Sequence, residues 1–115
     1  MPIWKTQSVL QTPKINLNAW RVFEVSSDMW PNITRHFVGY NSTNREGRVS
    51  SEIITFDAAE ARGVTHSGRV YQLCGGPGFN PDAEYVWSYW KGRNKITQET
   101  DVTDEIINSI KELSK

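Results

Sequence analysis

Between Ala19 and Cys74 apolar and polar residues alternate with the two-residue period of half-buried strands. Ala19, Arg21, Phe23 and Val25 share one face of the first run, and Trp20, Val22 and Glu24 share the other. Ser26, Ser27 and Asp28, then Pro31 and Asn32, end it. Thr34 to Tyr40 reads as a second strand carrying Phe37, Val38 and Tyr40. The segment from Asn41 to Gly47 is dense in turn formers, because Asn and Gly tolerate left-handed backbone conformations. Arg48 to Phe56 reads as a third strand, with Val49, Ser51, Ile53 and Thr55 opposite Arg48, Ser50, Glu52, Ile54 and Phe56. Val64 to His66 and Arg69 to Cys74 bracket Ser67-Gly68, which predicts a tight hairpin. The short echo of Glu46-Gly-Arg-Val49 in Ser67-Gly-Arg-Val70 is repeated hairpin grammar, not a repeat architecture.

The period then changes. Gly75-Gly-Pro-Gly78 breaks the strand pattern, and Asn80, Pro81 and Asp82 supply a cap, a first helical position and a favourable charge for a helix start. Ala83, Val86, Trp87 and Trp90 fall on one helical face, and Gly92 is expected to stop the helix. A second helix begins at Thr103, where Asp104 and Glu105 suit its N-terminus and Val102 can staple to Ile107. Ile106, Ile110 and Leu113 continue its apolar stripe. The expectation is one α+β domain over residues 18–115, an antiparallel sheet of about four to five strands followed by two C-terminal helices. Residues 1–17 carry Pro2 and Pro13 and no sustained pattern, so they read as an N-terminal arm or edge strand from which Trp4 and Leu10 can pack on the core.

Composition narrows the function classes. A chain of 115 residues supports one core. Five Trp, four Tyr and four Phe supply far more apolar surface than a disordered chain carries. Thirteen basic residues balance thirteen acidic ones, which argues against bulk electrostatic capture of nucleic acid or of an anionic membrane. A mean hydropathy of −0.56 without a long apolar run excludes a membrane-spanning helix. The first residues lack the basic-then-apolar pattern of a signal peptide, and the lone Cys74 makes no internal disulfide, so a cytoplasmic location is expected. The Asn-x-Thr tripeptides at Asn32 and Asn41 then read as loop composition.

Few motifs carry chemistry. Gly75 to Gly78 precedes a helix, where backbone N–H groups attract anions, but no Lys-Ser/Thr follows and Pro77 removes a donor. Pro77 also interrupts an acetyl-CoA-type pattern beginning at Gln72. His36, His66 and Cys74 show no zinc-ligand spacing, and no metal or cofactor is implied. Cys74, His66 and Asp57 make a nucleophilic set on composition alone. Tyr85 and Tyr89, one turn apart and off the core face, adjoin Lys91, Arg93 and Lys95, a surface suited to stacking and charge neutralisation or to a protein contact. Acidic residues follow at once and offset that field. Arg35 and Arg45 flank the same Asn-rich turn as Arg48, and Arg48 with Arg69 would hold an anion if the fold brought them together.

Gly47-Arg-Val-Ser-Ser51 with Asp57, Ser67-Gly-Arg-Val-Tyr-Gln-Leu73, Gly76-Pro-Gly78, and Asp82-Ala-Glu-Tyr-Val-Trp87 with Trp90 and Asp101-Val-Thr103 stand in order over residues 20–105. In these motifs the chain resembles a group of short hypothetical proteins of bacteria and their prophages, a group with no assigned activity. The resemblance implies a cytoplasmic accessory protein of a mobile element and transfers no functional residue. The leading expectation is a non-enzymatic protein-interaction module, contacting a partner protein or itself. The alternatives are a single-stranded nucleic-acid binder through Tyr85, Tyr89, Lys91, Arg93 and Lys95, and a small enzyme with a site near His66, Cys74 and Gly75 to Gly78.

Overall fold

A computed structural model describes residues 13–113. Its organising element is the long strand β1 (Lys14–Ser27), which pairs antiparallel with β2 (Thr34–Asn41). β3 (Glu46–Val49) pairs antiparallel with β2, and β4 (Ile53–Asp57), β5 (Arg62–Thr65) and β6 (Val70–Leu73) form an antiparallel meander. β6 then lies parallel to the first residues of β1, Lys14 against Val70 through Leu17 against Leu73. The strand order is β3-β2-β1-β6-β5-β4. β3 and β4 are two arms of one run, bent at Ser50 to Glu52. Ser50 N still donates to Phe37 O on the β2 side, while Glu52 O accepts from His66 N on the β5 side. The two ends of the sheet are thus joined and the strands close into a ring. A meander with an odd number of legs brings its first and last legs together pointing the same way, which is why one pair is parallel. Helix α1 (Pro81–Arg93), strand β7 (Ile96–Asp101) and helix α2 (Thr103–Leu113) follow, with β7 antiparallel to the second half of β1.

β1 serves two cores because its phase shifts. The register slips between Asn18 and Arg21, and Ala19 takes φ 46°. Ile15 and Leu17 before the slip, and Trp20 and Val22 after it, therefore all point into the ring, against Phe37, Tyr71, Leu73 and Ile106 of α2. Phe23 and Val25 point outward, as the alternation predicts, and with Val38 they bury Ala83 and Trp87 of α1. Burying each such side chain contributes about 1.5–3 kcal/mol. Two glycines let the layers approach. A Cβ on Gly63 would lie 2.5 Å from the Phe37 ring, and one on Gly47 would lie 2.3 Å from the backbone of Asp82 in α1.

The molecule is a single α+β domain with a mostly antiparallel sheet, but with seven strands instead of four to five. The predicted third strand is split by the Ser50–Glu52 bend. β7 went unpredicted because Ile96 is its only apolar residue, and it is held mainly by backbone pairing to β1. It also separates the two helices. Residues 14–17, read as the end of an arm or edge strand, are strand: they open β1 inside the sheet, paired with β6, with Ile15 and Leu17 buried. Residues 1–12, including Trp4 and Leu10, lie outside the described residues.

The α1 start forms as read: the Asn80 side chain accepts from Ala83 N at 3.0 Å. Its end does not. The helix runs past Gly92 to Arg93, Asn94 caps it, and Lys95 takes the left-handed φ of 52° usually left to glycine. Among the described residues no helix is long and apolar enough to cross a membrane.

Candidate functional site

A cleft of about 550 Å³ opens where α1, the outer face of β2, the Ser51–Glu52 bend and the turn after β1 meet. Trp30, Pro31, Asn32, Thr34, His36, Ser51, Glu52, His66 and Trp90 line it. That volume lies in the range of pockets that hold small ligands. Its walls are largely aromatic. The Trp90 ring lies 4.6 Å from His36 and 5.8 Å from Trp30, centroid to centroid, and Trp30 lies 6.2 Å from His36.

Each wall is held from behind. Trp90 stacks on Trp87 at 5.3 Å and 17°, and Trp87 stacks on Phe23 at 4.8 Å and 21°, so an aromatic ladder runs from β1 to the cleft. Glu99 of β7 steadies that ladder, accepting from Trp87 Nε1 at 3.3 Å and pairing with Lys91 Nζ at 2.7 Å. His36 is fixed at both ring nitrogens. Its Nδ1 lies 2.9 Å from Ser50 O, which can only accept, so Nδ1 carries the proton of the neutral ring. The bare Nε2 then accepts from the Thr34 hydroxyl at 2.7 Å. Burial pushes the His36 imidazole below its ordinary value, opposed by the carbonyl of Ser50, the nearby Glu52 carboxylate and the carbonyl of Ser51. The ring is thereby a neutral wall and a weakened base. Trp30 rides on a turn pinned by Ser27, whose Oγ accepts from Met29 N at 3.0 Å and donates to Asn94 O at 2.6 Å. The exposed side chains of Met29 and Ile33 flank it.

Glu52 contributes the one carboxylate in the lining, which holds no lysine or arginine. Among the described residues its carboxylate has no hydrogen-bond or ion-pair partner. His66, on the exposed turn that leads into β6, stands at the rim.

A second cleft of about 430 Å³ lies by Arg21, Pro77, Gly78, Phe79, Asp101, Thr103 and Asp104. Arg21 is paired with Glu84, and Asp101 Oδ1 accepts from Thr103 N at 2.9 Å. The glycine-rich loop beside it is strapped to β1: Trp20 Nε1 donates to Gly75 O at 3.0 Å, and Gly78 N donates to Trp20 O at 3.2 Å.

The residues singled out from sequence are distributed as follows. Tyr85 and Tyr89 are 47% and 45% exposed on the solvent side of α1. Lys91 is occupied by Glu99 and lies 5.4 Å above the Trp87 ring, while Arg93 and Lys95 are exposed at the helix end. Arg48 is buried and donates to Tyr71 Oη and Glu46, each at 3.2 Å. Arg69 is buried; its backbone N donates to Ser67 Oγ at 3.5 Å and its carbonyl accepts from Thr65 N at 3.1 Å. His66 and Cys74 sit at opposite ends of the β5–β6 hairpin, about 16 Å apart at a strand rise of about 3.3 Å per residue. Cys74 Sγ contacts Gln72 O at 3.6 Å, and Asp57 Oδ1 accepts from Glu60 N at 3.3 Å. Among the described residues no cluster of three or more His, Cys, Asp or Glu side chains could hold a metal.

No periodicity singles out Trp30 or Glu52, while Trp90 packs against the core as its helical spacing predicts and walls the cleft as well. The only local signal was a Trp beside Pro31 in a turn, where no periodicity calls for one. In comparison with known proteins, no family model, curated protein or solved structure matches the chain.

Proposed function

We propose that the protein is a non-enzymatic interaction module that docks a segment of a partner protein in the cleft beside Trp30 and Trp90. The observation that carries this reading is a cleft of about 550 Å³ walled by three rings packed on one another at 4.6 to 6.2 Å, two of them immobilised from behind. Rigid aromatic anchors at a concave surface lose little entropy on binding, which is the property of interface hot spots. Exposed Met29 and Ile33 extend the apolar surface beyond the cleft. Selection of a displayed peptide library on the protein tests the reading. Enriched peptides should lose at least tenfold in affinity against Trp30→Ala, a change in a turn outside the ring core. No enrichment, or equal binding by Trp30→Ala, would remove the reading.

A second reading, single-stranded nucleic-acid binding, draws on the exposure of Tyr85 and Tyr89 beside Arg93 and Lys95. The Lys91–Glu99 pair subtracts from its charge. It requires salt-sensitive binding of an oligonucleotide that Tyr89→Ala weakens, and it fails if no oligonucleotide binds at low salt.

A further inference from the structure

We infer that the cleft takes an organic cation, the ammonium of a lysine side chain presented by the partner. The inference rests on the peptide-docking reading above and names the chemistry that such a peptide would bring. Half-buried Trp30 and Trp90, packed on each other at 5.8 Å, turn their accessible parts to the cleft; aromatic faces carry the negative lobe of the quadrupole, and Trp attracts cations most strongly of all side chains. The single charged side chain that completes the lining is Glu52, close enough to His36 to act on its proton affinity. No lysine or arginine of the lining competes for that carboxylate. His36, buried behind Trp90 and kept neutral by that burial, adds no repulsion.

The same aromatic ladder already accepts cations elsewhere. Lys91 Nζ stands 5.4 Å from the Trp87 centroid, and the Arg21 guanidinium stands 5.0 Å from that of Phe23. A volume of about 550 Å³ exceeds what a bare ammonium needs, and leaves room for the methylene stem of a lysine along Trp30 and Pro31.

Choline and its uncharged isostere 3,3-dimethylbutan-1-ol differ in charge and hardly in shape. Titrating each into the full chain, and following the indole N–H resonances of Trp30 and Trp90 by NMR, isolates the electrostatic part of binding. Choline is expected to shift both resonances and to bind at least tenfold more tightly than the alcohol. Glu52→Gln should weaken choline and narrow that difference, leaving the share that the Trp rings supply. Equal binding of the two probes, choline affinity unchanged in Glu52→Gln, or no shift with either would overturn the inference.

Library-selected peptides supply the other arm. Replacing their lysine with norleucine should cost at least tenfold. If peptides bind through Trp30 equally well without lysine, the cation inference falls while docking stands. Choline binding without any enriched peptide would keep the cation site and remove the peptide reading.

Discussion

Gly47 decides how closely α1 can lie on the sheet, and so where Trp90 stands. A Cβ at this position would lie 2.3 Å from the Asp82 carbonyl oxygen, 2.4 Å from its carbonyl carbon and 2.6 Å from Ala83 N. All three are helix backbone, so no rotamer change can relieve the clash, and the start of α1 must retreat by about 1 Å to reach ordinary contact. A gap of that size forfeits about a quarter to a half of the dispersion attraction at Ala83 and Trp87, which are 3% and 1% exposed. Overpacking of this kind costs about 1–3 kcal/mol. Restricting the unfolded chain returns about 0.4–1 kcal/mol, since Gly47 does not have a left-handed φ. Gly47→Ala should therefore destabilise the fold by about 1–2 kcal/mol. Gly92 is the internal control. Apart from its chain neighbours and its own helix backbone, nothing lies within 4 Å of its would-be Cβ, so Gly92→Ala in α1 should stabilise by up to about 1 kcal/mol through helix propensity alone. Urea unfolding followed by Trp fluorescence, with a slope of about 1–3 kcal/mol per molar, resolves both signs. A Gly47→Ala protein as stable as the parent would refute the argument that helix backbone contact, not turn geometry, requires this glycine.

Acid should weaken the fold through His36. Burial holds its native proton affinity below the ordinary value, so the unfolded chain takes the proton first. The stability is fully present above the unfolded pKa of about 6.5 and is lost as pH falls through the native value, by at most about 1.4 kcal/mol per pH unit. Urea midpoints between pH 7.5 and 5 should fall more steeply for the parent than for His36→Gln; parallel slopes would argue against it. Lys95→Gly should stabilise by about 0.5–1 kcal/mol by relieving a left-handed residue with an exposed side chain, read as a higher melting temperature. Thr103→Val should cost about 1–3 kcal/mol, because Thr103 Oγ1 accepts from the buried Val22 N at 3.0 Å. Hydrogen exchange at the Val22 amide should accelerate with it, and an unchanged rate would show that another group satisfies that N–H.

Interactions between near neighbours in sequence write themselves into local pattern, and contacts between distant segments do not. Alternation placed the two faces of β1 from Trp20 to Val25 because a strand's side chains must sort between core and outer layer. The helical period placed Ala83 and Trp87 against the sheet, and the Asn80-Pro81 pair marked the start of α1. β7 left little trace, since its pairing with β1 is made by backbone atoms that every residue carries, while Thr97 to Asp101 face solvent. The third strand appeared whole because nothing local marks the Ser50–Glu52 bend. That bend is imposed by Phe37 on one side and His66 on the other.

By itself, then, the sequence determined an aromatic-rich α+β domain, the two faces of β1 from Trp20 to Val25 and the start of each helix. Each of these depends on residues within a few positions of one another. Only the tertiary structure decided the closed ring, the seventh strand and the cleft. Trp30, His36, Glu52 and Trp90 come from separate segments of the chain. Closure of the ring and the seating of α1 on Gly47 bring them within contact, and no local periodicity records a distance set by packing between elements.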